Sequence, residues 1–386
     1  MRRTLPAFLA VPSIGAGAAA QAGESVRTRP GYASNMLVRA ILIAFGLAGS
    51  ALCTRVGLAA QEGSRVRTID PPERGFFSKV LDYRGIPIKA HRDVSDEALV
   101  MAHARLRRML SQAPTIVANL RTEAVELHII GKDQVTSDLP YLRHYKGKPF
   151  DGDLTIDERT RGVGGQLVSC GEENLLRLPG DRYAGRDICV HEFAHAILTY
   201  GLDDATRARI EDQYHRSLAS GLWVSAFAAT NVQEFFAELS MWYFGTRGDH
   251  GKMSPPPELG RDGLRTYDPE AFRLLDDIYS GRIEVTPLKL VELQPVEPRL
   301  WAQQRSSDGT ATTIRFRNCT DERLQLLWVD GDGGRTPYGE LEPGEQRRHA
   351  TFAGHVWVLV GPDARDVAMF VATAEPGLAI VTRAGS

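Results

Sequence analysis

The chain has 386 residues, long for one domain and ample for two. It is 43% hydrophobic and 24% charged, a globular balance that excludes wholesale disorder. With 46 basic and 48 acidic residues the formal net charge is −2, which leaves no general pull towards nucleic acid or an anionic membrane, and no zinc-finger spacing or nucleic-acid motif is present.

Residues 1–60 read as a leader. The stretch 40–54, AILIAFGLAGSALCT, is uncharged, lies between Arg39 and Arg55 and has the character of a signal-peptide core, with small residues near Ala59–Ala60 as the cleavage region. The run is shorter than the roughly 20 residues that cross a bilayer, so no stable membrane span is expected. Met36 is an alternative start. The expectation is an exported protein: secreted, periplasmic or at the cell surface. Cys53 falls in the leader. Cys170 and Cys189 then form a candidate disulfide, since exported chains retain such bridges; two separate buried thiols are the other reading.

Residues 61–75, with Pro71 and Pro72, read as a linker, and 76–282 as the first domain. Residues 95–112 carry a helical stripe of Leu99, Ala102, Leu106 and Leu110 behind Ser95 as N-cap, and Pro114–Leu120 reads as a second short helix. VELHII (125–130) is a strand. Residues 131–185, rich in Gly, Asp and Pro, read as a surface excursion. Helices follow at 187–201 (ending at Gly201), near 204–219, at 231–244 (starting at Asn231) and at 268–281. Residues 283–310, with Pro287, Pro295 and Pro298, read as a linker. From 311 to 386 only short alternating runs occur, an all-β pattern. The predicted class is α+β: a mostly helical catalytic domain with a small sheet, then a C-terminal β-sandwich.

HEFAH at 191–195 carries the chemistry. Positions i and i+4 share a helix face, so His191 and His195 can grip one Zn2+ ion while Glu192 acts as general base towards water. A chance copy would bury two histidines and a glutamate in an apolar helix, at a cost of several kcal/mol each if unpaired. No histidine stands at the downstream positions that a third imidazole ligand would need: Leu198 and Gly201 occupy that region. The third ligand is assigned to Glu234, in the apolar run NVQEFFAELS. Glu238, a turn later, is assigned to the second nitrogen of a ligand histidine. The reverse assignment of the two glutamates stays open.

HEFAH followed by a buried EFFAE helix resembles the catalytic domain of the anthrax lethal factor-like metallopeptidases, a glutamate-zincin group. The match covers 191–195 and 231–239. It implies zinc, His191, His195 and Glu234 as ligands, and Glu192 as base. The family has a tyrosine seven residues before the ligand glutamate, placed to stabilise the oxyanion; here that place is Phe227. Tyr183, Tyr243 and Tyr267 are the alternative donors. In related zincins a strand above the metal pairs with extended substrate, and VELHII either borders the cleft in that way or is an ordinary core strand.

IRFRNCT, the long run from LLWVDGDGG to HVWVLV, and RDVAMF resemble the β domain of the von Hippel–Lindau protein. That resemblance implies a peptide pocket at Trp328, Tyr338, Thr351, His355 and Trp357, with Thr351 in place of a serine, which would hold a proline-rich or hydroxyproline-containing partner. The other reading of Trp328 and Trp357 is sandwich core. The chain thus reads either as a zinc metallohydrolase, in the first instance a peptidase on peptide or protein substrates, or as a non-enzymatic protein-binding module with a weak or structural zinc site.

Overall fold

A computed structural model describes residues 65–382; the leader expected over 1–60 lies outside the described residues. The described chain begins with an antiparallel meander of β1 (Arg67–Glu73), β2 (Phe77–Tyr83) and β3 (Ile86–Ala90). The supposed linker 61–75 therefore contributes a strand. β1 is an edge strand with an irregular register, the setting in which Pro71 and Pro72 are tolerated because neither can donate to a ladder.

Helices α1 (Asp96–Leu110) and α2 (Pro114–Thr122) cross over to β4 (Glu126–Ile130), which pairs parallel with β3. Ser95 caps α1 by accepting from the Glu97 amide, and Leu99, Ala102, Leu106 and Leu110 form its buried stripe, as the sequence pattern requires. A small cover follows, with hairpin β5 (Pro149–Asp151) and β6 (Leu154–Thr155) and the single turn α3 (Ile156–Arg159). Then come β7 (Gly162–Val163) and β8 (Leu167–Gly171). β8 pairs parallel with β4, and β7 returns antiparallel at the edge, giving a six-stranded sheet in the order β1-β2-β3-β4-β8-β7. The sheet is larger than the sequence suggests, because β1–β3 lie at 67–90, where no strand is read, and β7 and β8 lie in the Gly-rich stretch read as surface.

Next come α4 (Glu172–Leu176), α5 (Ile188–Ala196), α6 (Asp204–Ala219), α7 (Val232–Tyr243), α8 (Gly260–Tyr267) and α9 (Pro269–Tyr279). One sheet face packs on helices through Ile88, Leu127, Val168, Leu106, Phe193 and Phe235. The other packs on the 131–160 cover through Phe77, Ile130, Leu139, Ile156 and Val163. Helix α5 is continued by a π-type turn over Ile197–Gly201, whose Gly201 carbonyl accepts from Asn119 Nδ2 of α2 at 3.0 Å.

The C-terminal part is a sandwich of two four-stranded sheets. Its strands are β9 (Val291–Glu292), β10 (Ala311–Asn318), β11 (Leu324–Val329), β12 (Arg335–Leu341), β13 (Gln346–Phe352), β14 (Val356–Val360), β15 (Asp366–Val371) and β16 (Gly377–Val381). The sheets run β13-β10-β16-β9 and β12-β11-β14-β15 around Ile314, Phe316, Leu326, Trp357, Leu359 and Phe370. The stretch 283–310 is packed rather than a free linker: Val285 enters the core of the first part, where Thr286 and Leu288 bond to Asp203 and Asn119, and the remainder joins the sandwich. β9 pairs with β16, Leu293 enters the core, and Trp301 packs on the sandwich with its Nε1 donating to Val296 O at 2.7 Å.

The two parts are fastened together. Arg315 on β10 is 1% exposed and pairs with buried Glu123 at the end of α2. Gln346 Nε2 donates to Thr122 O at 3.4 Å, and the Arg348 guanidinium sits 6.0 Å from the Tyr200 ring centre. Among the described residues no helix is long and apolar enough to cross a membrane.

Candidate metal centre

Helix α5 starts where two side chains take up its first amides: Asn174 Oδ1 accepts from Ile188 N at 2.9 Å and Asp187 Oδ1 from Val190 N at 3.2 Å. Every residue of α5 is buried, and the four-residue spacing brings His191 Nε2 and His195 Nε2 to 3.2 Å. Helix α7 starts at Asn231, whose side chain accepts from Glu234 N at 2.9 Å, and this cap sets the first turn so that Glu234 faces α5. Glu234 Oε2 lies 3.3 Å from His191 Nε2 and 3.7 Å from His195 Nε2. Metal–ligand bonds of about 2.0–2.1 Å in a tetrahedron place donors about 3.3 Å apart, so the three atoms have the spacing of one face of such a site. Glu234 is 1% exposed, and apart from these two imidazole nitrogens no protein group satisfies its carboxylate oxygens. A buried carboxylate in that state calls for a cation. The residues present therefore fit a metal ion.

Glu238 is fully buried beside the same histidine, with Oε1 3.2 Å from His191 Nδ1. It is held in turn by Arg186 Nη2 at 3.2 Å and by the Asp249 amide. Arg186 Nη1 also reaches Asp249 Oδ2 at 3.3 Å, so this carboxylate is fixed from three sides and sets the His191 ring. The electrostatics are those of a crowded anionic cluster. Burial, with Glu234 adding repulsion against the pull of His191, pushes Glu192 up to about 8. Burial and the charge of His191 push His195 down to about 4. For His191 burial acts downwards, yet Glu234 and Glu238 raise it well above its ordinary value.

The strand beside this cluster is β7, at the sheet edge. A Cβ on Gly164 would lie 2.8 Å from His195 Cβ, and one on Gly162 would lie 2.7 Å from Ile188 Cγ2 and 2.9 Å from Glu192 Cγ. Glycine lets this backbone pass directly over the motif helix. The reading of VELHII as the cleft border is corrected here. β4 lies inside the sheet between β3 and β8, and its apolar run is what a strand covered on both faces requires. The short RGVGG stretch carries too little apolar character to register as a strand. Its paired glycines were the available signal; Arg186 and Asp249, which sequence reasoning missed, carry none, because they meet only at Glu238.

Of the alternative tyrosines, Tyr243 OH donates to Asp276 Oδ1 at 2.7 Å and Tyr267 OH accepts from Trp223 N at 3.0 Å, so both are engaged in the core. Tyr183 is half-buried under the Arg186 guanidinium, 5.7 Å from its ring centre. Phe227 sits in the turn before α7, its amide donating to Asp249 O at 3.1 Å. Cys170 on β8 and Cys189 on α5 are free, fully buried thiols in contact with one another; burial and the Cys189 neighbour raise the Cys170 thiol well above its ordinary value.

In the β module, the five pocket positions converge. Trp357 Nε1 donates to Thr351 Oγ1 at 3.1 Å, and Thr351 Oγ1 lies 3.2 Å from His355 Nδ1. Trp328 lies 5.3 Å from His355 and Tyr338 lies 5.0 Å from Trp357, measured between ring centres. Trp357, Thr351 and His355 are buried, whereas Trp328 and Tyr338 are half-buried at the margin. His349, absent from the expected set, completes the cluster 5.5 Å from Trp357, and burial draws its imidazole down to about 4.

No curated protein shows significant similarity to the chain. Residues 304–376 match the family model of the VHL beta domain, so the C-terminal sandwich is similar to a module that points to protein binding.

Proposed function

We propose that the chain is an exported zinc metallopeptidase of the lethal factor-like, glutamate-zincin type whose β module holds a peptide or protein partner. The observation that carries this reading is the spacing of His191 Nε2, His195 Nε2 and Glu234 Oε2, at 3.2, 3.3 and 3.7 Å, with buried Glu192 on the same helix. The ion, when bound, supplies Lewis-acid polarisation of water and of the scissile carbonyl. The positive charge of a bound ion would offset the burial that raises Glu192, leaving it a carboxylate able to accept the proton of the attacking water and pass it to the departing amine as the C–N bond breaks. Glu238 keeps the His191 ring in place, and the edge of β7 pairs with an extended substrate. Export rests on the uncharged stretch 40–54.

The test is the zinc content of the purified chain together with cleavage of a peptide library, beside Glu192→Gln. The expected outcome is one zinc per chain in both proteins and cleavage by the wild type alone. Stoichiometric zinc without cleavage by either protein would favour a second reading, a protein-binding module with a structural zinc site, which Phe227 at the oxyanion position supports. For the β module, hydroxyproline peptides are expected to outbind proline peptides on the wild type and to lose that advantage on His355→Ala; no preference in the wild type retires the pocket.

A further inference from the structure

Beyond the metal centre, on the far side of Arg186, lies a cavity of about 330 Å³ lined by four arginines, Arg105, Arg177, Arg186 and Arg247, against two aspartates, Asp181 and Asp187. The aspartates are already engaged. Asp187 receives Arg105 Nε at 2.7 Å and caps α5, and Asp181 receives Asn174 Nδ2 at 2.8 Å and the Tyr183 amide at 2.9 Å. Arg177 and Arg247 are exposed at the mouth, and no carboxylate among the described residues forms an ion pair with either. A fifth guanidinium, Arg108, stands behind Gly245 of the cavity wall, its Nη2 3.1 Å from where a Cβ on that glycine would be. Partial burial and the neighbouring Arg105 lower the Arg108 pKa despite Asp187, as expected where positive charges are crowded together. The Nε of Arg186 is buried with no acceptor in the protein.

Guanidinium groups repel one another unless something anionic holds them together, and their planar forks match multidentate oxyanions. The cavity is at the small end of ligand pockets, which run about 300–1,000 Å³. We propose that it binds a phosphate-type oxyanion, a compact doubly charged group gripped by Arg177 and Arg247 from the mouth and by Arg105 and Arg186 from the wall. The Ile188 and Val190 amides of α5 contribute nothing here because Asn174 and Asp187 already occupy them. The proposal does not rest on the peptidase reading, and its test is made on the Glu192→Gln chain so that turnover does not enter.

The test is calorimetric titration with inorganic phosphate, a phosphoserine peptide and a glutamate peptide of the same sequence, on this chain and on one also carrying Arg177→Gln and Arg247→Gln. Both phosphate ligands are expected to bind, and the double substitution is expected to weaken binding by about tenfold or more, the loss of charge-assisted hydrogen bonds. Both substituted arginines are exposed, and an unchanged melting temperature verifies that the variant folds. A phosphopeptide that binds more tightly than inorganic phosphate places the group on a polypeptide; equal affinities make it a free anion. No binding at millimolar phosphate, binding that survives the double substitution, or tighter binding of the glutamate peptide would overturn the proposal.

Discussion

His191 Nε2 and His195 Nε2 stand 3.2 Å apart at the floor of a buried cluster, closer than two imidazole nitrogens settle without a proton or a metal between them. Glu234 closes the triangle from the neighbouring helix. The first prediction concerns this triangle. Zinc is expected to raise the melting temperature and a chelator to lower it, by up to about 4 kcal/mol of stability at a thousandfold excess over Kd. Glu234→Gln should lose most of that increment, whereas Glu192→Gln should keep it. A chelator scan by calorimetry on the three proteins reads the difference; equal responses would remove Glu234 from the ligand set.

Gly164→Ala is expected to damage the centre without replacing a ligand. Its methyl would sit 2.8 Å from His195 Cβ, so either β7 or the ring must move. Overpacking of this kind costs about 1–3 kcal/mol. Zinc affinity, measured by competition with a chromogenic chelator, should fall about tenfold or more, while Gly165→Ala, which meets no atom within 4 Å, isolates the backbone contribution of its own positive φ of 134°.

The buried pair between Arg315 and Glu123 gives a third prediction. Removing one partner leaves an unpaired charge in a buried setting, at a cost of about 3–5 kcal/mol, and removing both recovers part of it. Urea unfolding of Arg315→Met, Glu123→Gln and the double variant checks this; additive losses would mean that the two side chains act independently.

A fourth prediction is a pH dependence in the β module. His349 has a folded pKa near 4, below the ordinary 6.5, because burial disfavours its charged form. The unfolded chain therefore binds the extra proton first. The stability tied to neutral His349 is complete above about pH 6.5 and is lost as pH falls towards 4, by an amount on the order of 2–3 kcal/mol. In thermal melts between pH 7.5 and 4.5, the difference from His349→Gln should be constant above about pH 6.5 and change over that window.

The legible parts of this chain were those with strong periodicity or fixed chemistry. The helices around Leu99 to Leu110 and Phe235 to Trp242 announce themselves because a buried stripe must recur every turn, and HEFAH has few uses in an apolar helix. β7, β12 and β13 share one reason for being illegible: their residues face a neighbouring backbone, a charged interface or solvent rather than one apolar core, so alternation is weak; β8 is buried on both faces but is only five residues long and carries Ser169 and Gly171 in place of a continuous apolar run. Gly162 and Gly164 are chosen by proximity to Glu192 and His195, a constraint that exists only once the helix is in place. Arg186 and Asp249 are 63 residues apart and gain meaning only through Glu238, which both contact.

The Arg315–Glu123 fastening turns the span between the aromatic cluster of Trp328 and His355 and the histidines of α5 into a constant of the fold. A polypeptide that engages both ends at once is measured against that span. Under the proposed function the chain would then act as a ruler, choosing a position on a partner by distance from an anchoring point rather than by the identity of the residues lying over the histidine pair.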